Sequence, residues 1–291
     1  MNENKKKKIP VLPYLLIAPA IILFILFTYY PLIKAAVLTL FVTNKAGEAT
    51  KFVGLANWTR VLGKASFWDI IGVTLKIAAI NLVFTFTIAM IFALLATKKV
   101  RGGKVYQTMY ALPMAIASAP AAAIFLFIFR QQNGVLNNLL GGTQIGWLTE
   151  MPYALAAVCT MTVWMNVGVS FIFLLVGFRN VPEDLLEAAL IDGAGPLRRI
   201  KDVIIPMASP QIFFVLFLNI INAFKSFAQI RLLTAGGPGN ATKTLIYYIY
   251  ENAILNGRLE TACVQAMVLF VIIFLFTRLQ MLAEKKVVHY Q

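Results

Sequence analysis

The sequence predicts an all-α polytopic membrane protein with six transmembrane helices, and three observations carry that prediction. Of its 291 residues, 60% are hydrophobic and 13% charged, with a mean hydropathy of +0.78. A soluble domain of this size could not solvate such a surface. The apolar residues fall into runs that reach the roughly 20 residues needed to cross a bilayer as a helix. The 26 Lys and Arg residues, which set a formal net charge of +14, cluster in short segments between those runs. That is the distribution of membrane topology, and it argues against a nucleic-acid surface. The two cysteines, Cys159 and Cys263, both lie inside apolar runs and read as small core residues. No disulfide framework or metal set exists.

Met1 to Lys8 reads as a disordered, lysine-rich start. Lys5 to Lys8 before an apolar stretch has the look of a secretory signal, but Leu12 to Leu40 is too long for a signal's apolar region. It reads as an uncleaved first span, with Pro19 and Pro31 as bends. Residues 43–68 are expected to form a loop that carries Phe52-Val53-Gly54-Leu55-Ala56-Asn57-Trp58, with Trp58 as its anchor. The second span is expected over Asp69–Thr97, followed by the basic loop Lys98, Lys99, Arg101 and Lys104. A third span, Val105–Phe129, is rich in small residues (Ala115, Ala117, Ser118, Ala119, Ala121, Ala122 and Ala123). Small residues permit close backbone approach, so this face should meet another helix, in this chain or in a second subunit. After a polar loop at 130–150, the fourth span is expected over Pro152–Phe178, the fifth over Pro210–Leu233, and the sixth over Thr261–Ala283, with 234–260 as a loop. In domain terms, 1–68 precedes a core of 69–284, and 285–291 is a tail.

Between the fourth and fifth spans lies a polar island, Val181 to Pro210, which holds five of the chain's twelve acids. Pro182 suits the first turn of a helix, and Glu183 with Asp184 places negative charge at its positive end. Leu185, Leu186, Ala189 and Leu190 line one face. Gly193, Gly195 and Pro196 stop the helix, and a short basic turn, Leu197 to Val203, follows. The result is a helix–turn–helix elbow outside the bilayer, whose apolar face has no evident cover in its own chain. A cytoplasmic N-terminus puts fifteen Lys/Arg inside and eight outside, with Lys34, Lys76 and Lys225 within spans. That asymmetry places the elbow in the cytoplasm.

Several chemistries are excluded. No G-x-x-x-x-G-K-[ST] phosphate loop occurs, and Gly236-Gly237-Pro238-Gly239 reads as a tight turn. Asn240-Ala241-Thr242 matches only a glycosylation acceptor, and the lone His289 is neither a triad member nor a metal site. Every Asp and Glu falls in a loop or at a span edge, which argues against a proton-coupled carrier and an intramembrane protease. The polar residues that do enter the fifth span are Asn219, Asn222, Lys225, Ser226 and Gln229, spaced along one helical stripe. Two readings stay open for them: hydrogen-bonding glue between helices, or a water-filled path for a polyhydroxylated solute, with Asn166 and Asn81 as weaker members.

Glu187-Ala188-Ala189, Asp192-Gly193-Ala194, Ile204, Pro206 and Pro210 together resemble the EAA signature of binding-protein-dependent ABC importer permeases. The one departure is Ile200, where many members carry an aromatic. The segment from Phe52 to Trp58 resembles the F-x-G-L-x-N of sugar-type permeases. Leu233 to Thr242 with Tyr247-Tyr248-Ile249-Tyr250 resembles the last outside loop of the sugar and glycerol-3-phosphate type. The resemblance implies a type I ABC importer permease fold in a bacterial cell membrane, with both termini cytoplasmic. It implies a coupling helix that docks in an ATPase through Glu187, Ala188, Ala189, Asp192, Gly193, Ala194 and Pro206. The implied partners are a second homologous permease, two cytoplasmic ABC ATPase subunits and an extracellular solute-binding protein. ATP and Mg would then be bound by the ATPases, with no cofactor or catalytic site in this chain. The substrate path would run along Asn219, Asn222, Lys225, Gln229 and Asn166. One lysine offers only one point charge, which favours a neutral sugar or short oligosaccharide over glycerol-3-phosphate or another charged polyol. The readings from other classes are a secondary solute carrier and a membrane scaffold or receptor subunit.

Overall fold

A computed structural model describes residues 11–44, 46–97 and 101–287; the expected disordered start, Lys98, Lys99 and His289 lie outside them. Among the described residues, five helices are long and apolar enough to cross a membrane: Leu12–Leu38, Ala65–Ala96, Tyr153–Arg179, Ser209–Leu233 and Leu259–Lys285. A bent pair, Gly103–Ala115 with Ser118–Ile128, supplies the sixth crossing. These are numbered below as the first, second, fourth, fifth, sixth and third spans respectively.

The expected straight third span is thus corrected, because its halves meet at 102°. Ile116 (ψ 127°) and Ala117 (ψ 155°) are extended at the corner. Two prolines explain this, Pro113 in the tight turn Leu112–Ala115 and Pro120 beyond it. A continuous helix would need an N–H at Pro120 to bond the carbonyl of Ile116, and Pro120 has none. Instead it occupies the first turn of the second half, where a missing N–H is harmless. The small residues divide at this corner. Ala121 and Ala122 are buried against Val158 and Met161 of the fourth span, whereas Ala115, Ala117, Ala119 and Ala123 stay exposed.

Two segments read as loops are ordered. Phe41–Thr43 and Ala49–Phe52 pair as an antiparallel hairpin, and the helix Ala56–Leu62 follows. The anchor there is Asn57, where the sequence pointed to Trp58. Buried Asn57 donates through Nδ2 to the carbonyls of Thr39 (2.9 Å) and Phe41 (2.8 Å), tying the turn to the end of the first span. In the second segment, Leu245–Tyr250 is helical and runs into a π turn, Glu251–Leu255, packed on the sixth span. The fifth span is also broken, into Ser209–Phe224 and Ala228–Leu233.

The main core joins three spans. Ala89, Ala93 and Ala96 of the second meet Val163, Val167, Phe171 and Leu174 of the fourth, with Ile212 and Val215 of the fifth. Small residues on one helix and large ones on its neighbour let the backbones approach and interdigitate. Gly177 marks the tightest point of the fourth and fifth spans: a Cβ there would lie 2.6 Å from Cβ of Gln211. By contrast the first span is exposed along most of its length and packs on the sixth only through its last turns, Tyr30–Leu38.

Gly177→Leu is expected to destabilise the folded protein by about 1–3 kcal/mol through overpacking. Gly72→Ala, with nothing within 4 Å of the added Cβ, should not destabilise it. Thermal unfolding in detergent checks this, and equal melting of Gly177→Leu and wild type would contradict the close approach.

Candidate functional site

The elbow begins with Pro182 in extended geometry (ψ 133°), one position ahead of the helix it was expected to enter, and the helix runs Glu183–Ile191. Glu183 and Asp184 occupy its first turn, where negative charge complements the dipole. Its end explains the spacing of the motif. Gly193 lies at φ +76° and donates its N–H to the Leu190 carbonyl (3.0 Å), while the Ala194 N–H reaches back to Ala189 (2.9 Å). That pair of bonds is a Schellman stop, which needs a left-handed residue at the glycine position and favours an apolar contact between Ala194 and Ala189. Both alanines are half-buried. No atom lies within 4 Å of where a Gly193 Cβ would sit, so the requirement for glycine there is conformational rather than steric.

The chain then turns into a second helical arm, which starts at Pro196. Ile200–Ile204 forms a π turn in which the Ile205 N–H bonds the carbonyl of Ile200. Pro206 follows directly, half-buried, and its missing N–H accounts for the widened turn. Asp202 pairs with Arg198 at 3.3 Å, an exposed ion pair that contributes little to stability.

The apolar face of the elbow divides. Leu186 and Ala189 are half-buried toward their own chain, a cover that the sequence did not reveal. Leu190, Ile191 and Leu197 are exposed by 58%, 85% and 82%, and Leu185 is exposed as well. Glu187, Ala188 and Asp192 are exposed on the same helix.

The second candidate site is in the membrane. The expected single stripe is split, because the fifth span breaks between Lys225 and Phe227 with neither proline nor glycine present. Asn219 is 4% exposed and accepts from Ser170 Oγ on the fourth span (3.1 Å). Asn81 on the second span donates to Ser226 Oγ (3.4 Å). Gln229, past the break, is half-buried with Nε2 3.5 Å from the Met165 sulfur. Asn166 donates to the Thr162 carbonyl of its own helix (2.8 Å). Each of them thus bonds to protein, while Asn81 Oδ1 and Asn219 Nδ2 are buried without a partner among the described residues. Asn222 and Lys225 differ from them: both are exposed at the break, on the surface of the chain. The space among Asn81, Thr85, Thr162, Asn166, Asn219 and Asn222 is about 10 Å³, enough for about one water and far too small for a sugar. Sequence reasoning missed Thr74 and Thr244. Thr74 Oγ1 accepts the Leu245 N–H (2.8 Å), and Thr244 Oγ1 donates to the Ser226 carbonyl (3.5 Å). Thr74 within an apolar run and Thr244 within a polar loop gave no signal of this.

Residues 86–289 match the family described as the binding-protein-dependent transport system inner membrane component. The chain is 35% identical over 283 residues to the sn-glycerol-3-phosphate transport system permease protein UgpA of Agrobacterium fabrum, covering 96% of this chain and 97% of that one. It is 33% identical to UgpA of Salmonella typhimurium, covering 96% of each. Among solved structures, a bacterial ABC transporter involved in the import of the acidic polysaccharide alginate shares the fold, with a TM-score of 0.83 over 96% of each chain at 22% identity.

If Ser170 and Asn219 act as glue, a double-mutant cycle of Ser170→Ala with Asn219→Leu should give a coupling of about 0.6 kcal/mol, the average for interhelical bonds in lipid. Asn222→Leu should leave stability unchanged. Unfolding in mixed micelles measures both, and zero coupling would remove the structural role.

Proposed function

The chain belongs to the family of binding-protein-dependent transport system inner membrane components and is the permease subunit of an ABC importer; from that premise we propose that it passes a carbohydrate inward, driven through its elbow. The observation that carries the proposal is a helix ended by a Schellman stop that leaves Leu185, Leu190 and Ile191 exposed, with Leu197 exposed on the arm that follows. A rigid helix that presents an apolar face with a polar rim, Glu187 and Asp192, suits insertion into a cleft of a second protein. The partner in this reading is a cytoplasmic ATPase, present twice, which binds ATP and Mg; this chain contributes no cofactor site. Glu187, Ala188 and Ala189 present the contact. Asp192, Gly193 and Ala194 fix the angle at which the helix ends, and Pro206 sets the return of the chain to the membrane.

The excess of Lys and Arg in the segments on the elbow's side supports a cytoplasmic elbow and cytoplasmic termini. A solute-binding protein delivers substrate on the opposite side, and a second, homologous permease closes the path against Asn222 and Lys225. The neutral amide of Asn222 at that point suits sugar hydroxyls, which supports a sugar or short oligosaccharide. One observation favours a second reading: Lys225 stands exposed at the helix break, and the UgpA relatives are named for sn-glycerol-3-phosphate. In that reading, Lys225 faces the phosphate of a polyol.

Gly193→Val and Glu187→Lys should each reach the membrane in normal amounts yet lower ATP-driven uptake about tenfold or more. The left-handed φ alone costs a branched side chain about 1–2 kcal/mol, and charge reversal repels the contact. Wild-type uptake by both variants in reconstituted vesicles would remove the elbow from coupling.

Asn222→Leu and Lys225→Met should reduce uptake roughly tenfold, as expected for one lost polar contact, while the loaded binding protein still stimulates ATP hydrolysis. Loss confined to Lys225→Met, with a phosphorylated polyol as substrate, would select the anionic reading. Normal uptake by both variants would leave the chain without a path at the break.

A further inference from the structure

A cavity of about 760 Å³ lies between the elbow and the adjacent ends of the second, third and fourth spans. Three cations line it: Lys104 at the start of the third span, Arg179 at the end of the fourth, and Arg199 on the second arm of the elbow. None of the three forms an ion pair with a described residue, and the one acid on the wall, Glu183, has a partner of its own. Arg179 Nη2 donates to the Ala96 carbonyl at 3.3 Å, which holds the guanidinium across the end of the second span. Arg199 Nε is buried and has no acceptor among the described residues. A buried donor left in that state costs about 1–3 kcal/mol.

The remaining wall is apolar, with Leu94, Phe178, Leu186 and Ile204 prominent. A free anion would use the cations and leave this wall wet. An amphiphile with a phosphate head would use both. Because the second span ends at Ala96 and the fourth at Arg179, the cavity sits at the depth where lipid headgroups lie.

We propose that this cavity binds one anionic phospholipid, its phosphate held by Lys104, Arg179 and Arg199 and the start of its acyl chains against Leu94, Phe178 and Leu186. Since Leu186 and Arg199 belong to the two arms of the elbow, the bound lipid ties the elbow to the ends of three spans. Lipid composition then bears on how firmly the elbow is held.

The test is lipid retention by the whole transporter, purified with its partner subunits from vesicles of phosphatidylglycerol and phosphatidylcholine in equal parts. Native mass spectrometry counts the lipids that remain bound. Wild type should retain phosphatidylglycerol in preference to phosphatidylcholine. Lys104→Gln, at an exposed position that the fold does not need, and Arg199→Gln should each retain about fivefold less, the loss expected for one basic residue at a membrane surface. Equal retention by both variants, or no preference for the anionic lipid, would overturn the proposal. So would displacement of the lipid by millimolar inorganic phosphate, which would make this a free-anion site. The readout involves no transport and stands apart from the identity of the solute.

Discussion

Lipid offers the backbone no hydrogen-bonding partner, so wherever a span departs from helix its neighbours must supply one. The fifth span shows how this is met. Ser226 Oγ bonds the carbonyl of Ala223 and accepts from Asn81 of the second span, while the Ser226 carbonyl accepts from Thr244. One residue further along, the Leu245 N–H is taken by Thr74. The helix that starts at Leu245 and the middle of the second span are therefore placed by the need to close one break. The same constraint shapes the third span, whose corner falls where Pro120 leaves a carbonyl without its donor.

The elbow obeys the opposite rule. Outside the bilayer, water can satisfy backbone groups, so a helix there needs capping more than it needs neighbours. The chain supplies acids in the first turn and a left-handed glycine at the end. What it does not supply is cover for Leu190, Ile191 and Leu197. In water such a face is stable only against a partner, whereas in lipid an exposed leucine requires no explanation. The dozens of exposed apolar residues on the spans and the few on the elbow thus carry different meanings.

This difference also sets what the sequence can reveal. The spans were legible because length and hydropathy are local properties, and their ends fell within a few residues of expectation. The elbow was legible because proline, glycine and acids punctuate it. The corner of the third span was equally legible through Pro113 and Pro120, although small-residue content drew attention away from it. The break at Lys225 was not legible, because no residue in Phe224-Lys225-Ser226-Phe227 forbids helix; the break is held by Asn81 and Thr244, which lie far away in sequence. Nor could spacing separate Asn219, which is buried, from Asn222, which is exposed. The facing of a residue on a span depends on which helices surround it, and in lipid the apolar pattern does not encode that.

Two packed regions of the bundle meet at the break in the fifth span. The second, fourth and fifth spans interlock through Ala89, Ala93, Phe171, Leu174 and Val215, and sliding them apart would open voids at a cost of roughly 24 cal/mol per Å³. The segment beyond Lys225 is packed as well, with Leu245 in one cluster with Ile70, Ile71 and Ala78 of the second span and Ile230 in another with Val158 and Met161 of the fourth; its side-chain hydrogen bonds add about 0.6 kcal/mol each in lipid. A conformational change that moved solute past Asn222 and Lys225 would therefore keep the interlocked core as one body. The break in the fifth span lies between two packed regions, and Asn222 and Lys225 are exposed where they meet.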